Sequence, residues 1–129
     1  MVKGLDLNNP VIKLCVEGTQ AEYPGRPDTA FSLYQQAWDA ASTDYEACIA
    51  AHDVARCQNK PADELRWNQE ALNRANRSQD DRVKDFYPSL YLKMGQSYQR
   101  LGQQTEAQKY FDLAAELGAV HPMDDPDPF

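Results

Sequence analysis

Two thiols and an imidazole lie close together in the chain and are the first candidates for chemistry. They are Cys48, His52 and Cys57. A thiol nucleophile needs a neighbouring base such as histidine to form the reactive thiolate. Cys48 and His52 are four residues apart, so a helix would place them on one face. A small hydrolase or thiol enzyme that uses Cys48 and His52 is therefore one alternative function. It is the weakest alternative, because nothing in the sequence orients the pair.

Metal and cofactor chemistry is not indicated. Cys57 follows Cys48 by nine residues, which on a helix is about half a turn out of phase, and structural zinc sites usually present CxxC pairs. Asp124, Asp125 and Asp127 lack the glycine and the distal glutamate of a calcium loop. The chain has no GxGxxG, P-loop, GxSxG or HExxH element. We therefore expect no metal, no cofactor and no catalytic residue.

Length and charge restrict the class of protein. The chain has 129 residues, with 13 Lys and Arg against 20 Asp and Glu, for a net charge of −7. This length fits one domain, and the acidic balance disfavours nucleic acid and anionic membranes, which favour a clustered basic face. We find no signal peptide, no membrane span and no CxxC pair. We therefore expect a cytoplasmic protein with no nucleic-acid or membrane partner.

The segment from Pro88 to Gly118 has the pattern of two amphipathic helices joined by a turn. Small and apolar residues recur at helical spacing on both sides of Gly102. The first group is Tyr91, Met94, Gly95 and Tyr98, and the second is Ala107, Phe111 and Ala114. A glycine just past a helix allows the left-handed backbone that ends it. The segment therefore predicts an antiparallel helical hairpin.

The same pattern recurs twice upstream. An offset of 43 residues aligns Gly95 with His52, and a further offset of 34 residues aligns His52 with Gly18. The turn residue follows seven positions later in each unit, at Gly25, Asn59 and Gly102. A repeat of this length is typical of stacked helical hairpins, each of which needs its neighbours to bury an apolar face.

Capping and helix-breaking residues set the expected helix bounds. The N-caps are predicted at Asn8 or Asn9, at Asp28, and at Thr43 or Asp44. Later helices are expected to begin at about Pro61, Pro88 and Gln104, and the six helices to end near Glu22, Ala41, Gln58, Arg77, Leu101 and Leu117. Between the last two units, Val83 and Phe86 are expected to form a short helical turn that packs on the core.

The chain resembles the tetratricopeptide repeat family over about residues 11 to 118. The third unit matches the family pattern best, and the second diverges most, with His52, Glu64 and Asn68 at positions that are usually small or aromatic. The resemblance implies an all-α, right-handed α-solenoid of three antiparallel helix hairpins. The repeats are expected at 11–42, 45–77 and 88–118, with a longer connection at 78–87. Residues 1–118 would form this domain, and 119–129 a flexible acidic tail rich in Pro and Asp.

In the resembled family the first helix of each hairpin lines a concave groove that holds a partner segment. The resemblance implies a non-enzymatic interaction or scaffold module that binds a peptide or protein there. Ile12, Ile49 and Leu92 are expected to form an apolar stripe bordered by polar groups, although a plain solvated helix face remains the alternative. Carried over by register, the groove positions are Ile12, Cys15, Thr19, Glu22, Glu46, Ile49, Asp53, Arg56, Ser89, Leu92, Gln96, Gln99 and Arg100.

The last helix supplies a second interpretation. Repeat arrays usually need a polar terminal cap, yet Tyr110, Leu113 and Leu117 lie on the final helix with no further helix to cover them. The chain could therefore be a homo-oligomeric structural or regulatory protein, such as a homodimer, that associates through its C-terminal helix. The tail could instead fold back, or act as a short linear motif anchored by Phe129.

Overall fold

The fold is built from helices alone in the part of the chain that a computed structural model describes, residues 7–119. The helices are α1 (Pro10–Glu22), α2 (Pro27–Ala40), α3 (Asp44–Arg56), α4 (Pro61–Arg77), a 3₁₀ helix (Asp81–Phe86), α5 (Tyr87–Arg100) and α6 (Gln104–Glu116). The all-α expectation is confirmed, and each expected helix end lies within two residues of the observed one. Within residues 7–119, no helix has both the length and the apolar content to cross a membrane.

The α-helices pair into three hairpins. The closest partners are α1 with α2, α3 with α4, and α5 with α6. Neighbouring hairpins meet through α2 with α3 and through α4 with α5, and α1 also packs on α3. Because α3 has neighbours on several sides, every residue from Tyr45 to Ala55 is buried.

Side-chain caps begin two of the helices as expected. The Asn9 side chain accepts hydrogen bonds from the first-turn amides of α1, and the Thr43 hydroxyl accepts one from the Glu46 amide, 3.1 Å away. The expected Asp28 cap is wrong, because α2 begins at Pro27 and Asp28 lies inside its first turn. Proline already has the backbone angle of a helix start, and an aspartate there still interacts favourably with the helix dipole.

Glycines end the helices where the sequence predicts turns. Gly25 and Gly102 have φ of 84° and 76°, a left-handed conformation that costs glycine little. After α5, the Gly102 amide donates to the Gln99 carbonyl at 3.0 Å and the Gln103 amide donates to the Tyr98 carbonyl at 3.0 Å. This pair of bonds satisfies the last carbonyls of the helix and turns the chain into α6.

The connection between the second and third hairpins also packs as expected. Val83 and Phe86 of the 3₁₀ helix are buried in the main core cluster. The Phe86 ring stacks on Tyr45 at the start of α3, with 5.8 Å between ring centroids. The extra residues of this connection therefore fill space beside α3. Of the tail predicted at 119–129, the structure describes Ala119, which is buried against Leu92 and so does not belong to a flexible tail. Residues 120–129 and 1–6 lie outside the described residues.

Candidate binding cleft

The residues predicted to line a groove divide into a buried and an accessible set. The expected apolar stripe of Ile12, Ile49 and Leu92 is wrong, because each of these side chains is at most 1% exposed. Ile12 and Ile49 belong to the main core where α1 packs on α3, and Leu92 is covered by Ala114 and Ala119. The other buried positions are Cys15, Glu46, Asp53 and Ser89, and the accessible ones are Thr19, Glu22, Arg56, Gln96, Gln99 and Arg100.

Four of the accessible residues line one polar cleft of about 240 Å³, which we name the central cleft. Its walls come from α1, α3, α4 and α5. Thr19 and Gln99 are not part of it, and Ala55, Glu64, Asn68 and Lys93 are lining residues that sequence reasoning missed. The sequence does distinguish Glu64 and Asn68, because both are polar at repeat positions that are usually small or aromatic. The lining residues are Glu22, Ala55, Arg56, Glu64, Asn68, Lys93, Gln96 and Arg100.

Arg56 connects the first two hairpins at one wall of the cleft. Its Nη1 lies 2.8 Å from Oδ1 of Asp53, a side chain that is almost fully buried, and its Nη2 lies 3.2 Å from Oε1 of Glu22. The same Nη2 donates to the Tyr34 hydroxyl at 3.0 Å, and that hydroxyl donates to Glu22. Residues from α1, α2 and α3 therefore meet at one guanidinium. Ion pairs and hydrogen bonds fix its position in the cleft wall.

The groups around this ion pair stay neutral at physiological pH. Burial raises the pKa of the Tyr34 hydroxyl, and the negative charge of Asp53 raises it further. Burial likewise raises the pKa of the Cys15 thiol, with a second contribution from Asp53, to which the thiol is hydrogen-bonded. Both groups therefore remain protonated, and the Arg56 guanidinium pairs with the carboxylates of both Asp53 and Glu22.

A second polar network joins α4 to α5 at the opposite wall. The Asn68 amide donates to Oγ of Ser97 at 2.9 Å, and the Ser97 hydroxyl donates to Oε1 of Glu64 at 2.9 Å. The Arg100 guanidinium forms an ion pair with the same carboxylate oxygen. Asn68 and Ser97 are buried, whereas Arg100 extends to the surface. These contacts therefore link buried side chains of α4 and α5 to the accessible residues that line the cleft.

Glu46, predicted for the groove, acts instead at the start of α3. Its carboxylate accepts from the Asn9 side-chain amide at 2.7 Å and from the Ser42 backbone amide at 2.9 Å. Burial alone would raise its pKa, but hydrogen bonds from Ser42 and Asn9 outweigh it and hold the pKa below the usual value. Glu46 therefore joins the starts of α1 and α3 and is not a cleft residue.

The cysteines considered as nucleophiles lie in surroundings that raise the pKa of a thiol, whereas a nucleophilic thiol needs a lowered pKa. Cys48 and His52 are both fully buried in α3. Burial raises the pKa of the Cys48 thiol, and Asp53 adds to the rise. For the partly buried Cys57, burial raises the pKa to about 11, whereas reactive thiols are accessible and have a lowered pKa. Within residues 7–119, no three His, Cys, Asp or Glu side chains are grouped to hold a metal ion.

No family model matches the chain, and neither a curated protein nor a solved structure shows significant similarity to it. The resemblance to tetratricopeptide repeats therefore rests on the residues of this chain alone.

Proposed function

We propose that this chain is a three-unit, right-handed array of tetratricopeptide type that binds a segment of a partner protein in its central cleft. The internal repeat supports the first part. Gly18 packs against the Tyr34 ring and Gly95 against the Phe111 ring, and these pairs occupy matching places in the first and third hairpins. A protein-binding array also agrees with the position of the cleft, which contains residues from the first helix of every hairpin.

The mixture of fixed donors and acceptors in the cleft is the observation that carries the proposal. Arg56, Lys93 and Arg100 offer donors, Glu22 and Glu64 offer acceptors, and the amides of Asn68 and Gln96 offer both. A polypeptide main chain presents alternating donors and acceptors, so it suits such a lining better than a polyphosphate, which accepts only. Because ion pairs already hold Arg56 and Arg100, little side-chain freedom is lost on binding.

A peptide-display selection against the immobilised protein tests the proposal. Peptides that bind the cleft should lose at least about tenfold in affinity for the Lys93→Glu and Gln96→Ala variants, since a tenfold loss is about 1.4 kcal/mol. Lys109→Glu on the outer side of α6 makes the same charge change away from the cleft and should leave the affinity unchanged. Selected peptides that bind both cleft variants as tightly as the native protein would place the site elsewhere.

A second candidate function, self-association through α6, is favoured by one observation. Leu113 is 37% exposed and Leu117 is 52% exposed, whereas Tyr110 is partly covered because it stacks on Tyr98 at 5.7 Å. Light scattering of the native protein over a concentration series should then show a dimer that the Leu113→Lys/Leu117→Lys variant cannot form. A native protein that stays monomeric up to its solubility limit would exclude this function.

A further inference from the structure

The chain leaves the last hairpin beside α5. After α6, Gly118 has φ of 93°, its amide donates to the Ala115 carbonyl at 2.9 Å, and the Ala119 amide donates to the Ala114 carbonyl at 3.0 Å. These two bonds reverse the chain direction at the end of the helix. Ala119 is only 5% exposed and packs in one cluster with Leu92 of α5. Ala119, the last described residue, therefore lies next to Leu92.

The part of α5 that follows Leu92 carries cations of the central cleft. Lys93 comes next and Arg100 lies two helical turns further on, and both line the cleft together with Arg56 of α3. Glu22 and Glu64 line the same cleft, so its cations exceed its carboxylates by one. The segment that starts at position 120 has the opposite net charge. It contains no lysine or arginine and three aspartates, at Asp124, Asp125 and Asp127.

The distances allow this segment to reach the cleft without unfolding α6. Leu92 and Arg100 are eight residues apart on a helix, which is roughly 12 Å along its axis. Five extended residues from Ala119 to Asp124 span at most about 17 Å. A tether this short gives the aspartates an effective concentration on the order of millimolar at the cleft. Even a weak attraction between the acidic segment and the cleft can therefore produce appreciable occupancy.

We propose that residues 120–129 dock in the central cleft of the same molecule, with their aspartates beside Lys93 and Arg100, so that a partner segment must displace them. The displacement rests on the proposed function, whereas the docking does not. Ion pairs between accessible groups are weak and screened by salt. The docked state is therefore in exchange with an undocked one, and salt shifts the balance toward the undocked state.

Backbone amide NMR spectra of the full chain test the docking. The variant Asp124→Lys/Asp125→Lys/Asp127→Lys should move the signals of Lys93, Gln96 and Arg100 at low salt. In about 0.5 M salt, where charges are screened beyond roughly 4 Å, the native and variant spectra should coincide at these residues. The matched control makes the same charge change on α6 and should leave the three signals in place: Glu106→Lys/Asp112→Lys/Glu116→Lys.

Signals of Lys93, Gln96 and Arg100 that are identical in native and tail-variant protein at low salt would overturn the docking. A second measurement uses a synthetic peptide of residues 119–129 added to the tail variant. It should move the same three signals toward their native positions, and a peptide with lysines in place of the aspartates should not. A failure of the native peptide to move them would count equally against docking.

Affinity measurements separate this inference from the proposed function. A display-selected peptide that depends on Lys93 should bind the tail variant several-fold more tightly than the native protein, because no competitor has to leave. Equal affinities would overturn the displacement. If selection returns no peptide that depends on the cleft, the proposed function fails, while the NMR signals still decide whether the tail docks.

Discussion

Gly18 of α1 lies against the ring of Tyr34 in α2, so closely that a β-carbon at position 18 would be 2.7 Å from Cδ1 of the tyrosine. Gly95 of α5 has the same relation to Phe111 of α6, with an identical 2.7 Å to its Cδ1. Both pairs are 16 residues apart in the chain. The absence of a side chain on one helix therefore makes room for an aromatic ring on the next, and this sets the spacing of both hairpins.

The variant Gly95→Ala should lower the free energy of unfolding. Overpacking in a core costs about 1–3 kcal/mol, which exceeds the roughly 1 kcal/mol that alanine gains over glycine inside a helix. We expect a net loss of up to about 2 kcal/mol in urea unfolding. The double variant Gly95→Ala/Phe111→Leu should recover part of this loss, and Gln99→Ala on the exposed side of α5 is the control. A Gly95→Ala protein more stable than the native one would show that the ring has room to move.

The ion pair of Asp53 and Arg56 gives a second prediction. Arg56→Met should cost about 3–5 kcal/mol of unfolding free energy, because it removes the guanidinium that is paired with a buried carboxylate. The double variant Asp53→Asn/Arg56→Met should be more stable than the single Arg56→Met, since it also removes the buried charge. Both are measured by urea unfolding at pH 7, together with the single variant Asp53→Asn that completes the cycle. Additive losses in the double variant would mean that the two side chains act independently.

The helices could be predicted from the sequence because local chemistry sets their ends. Pro10 and Pro61 start α1 and α4, Thr43 caps α3, and Gly102 turns the chain between α5 and α6. Each of these effects acts within a few residues. The Asp28 cap failed for the same local reason, since proline had already started α2 one residue earlier.

The site was harder to predict, because register identifies a helix face but not what covers it. Leu92 lies on the expected face of α5, yet the turn at Ala119 covers it. Ile49 is buried because α3 is the central helix. The alanines of α3 indicate in the sequence that Ile49 is buried, because small residues allow other helices to approach α3 on several sides. These are Ala47, Ala50, Ala51 and Ala55.

The carboxylate of Glu46 predicts a dependence of stability on pH. Its pKa in the folded state is below that of the unfolded chain, chiefly because hydrogen bonds from Ser42 and Asn9 overcome the effect of burial. The stabilisation is therefore complete above the unfolded pKa, about 4.3 for glutamate, and is lost as the pH falls below that value. Glu46→Gln should accordingly lower stability more at pH 7 than at acid pH. Urea unfolding at both pH values measures this, with Glu116→Gln on α6 as control, and an equal loss at both pH values would contradict it.

Asn68, which donates a buried hydrogen bond to Ser97, stands at the repeat position that holds an aromatic residue in the other two hairpins. Asn68 follows His52 by 16 residues, as Tyr34 follows Gly18 and Phe111 follows Gly95. Ser97→Ala should therefore cost about 1–3 kcal/mol, since it leaves the Asn68 amide buried without this acceptor. Replacing both partners removes the unsatisfied group, so that Asn68→Leu/Ser97→Ala should be closer in stability to the native protein than Ser97→Ala is. Urea unfolding of the three proteins checks the order. A double variant less stable than Ser97→Ala would show that the second hairpin needs this polar pair for its packing and not only for its hydrogen bond.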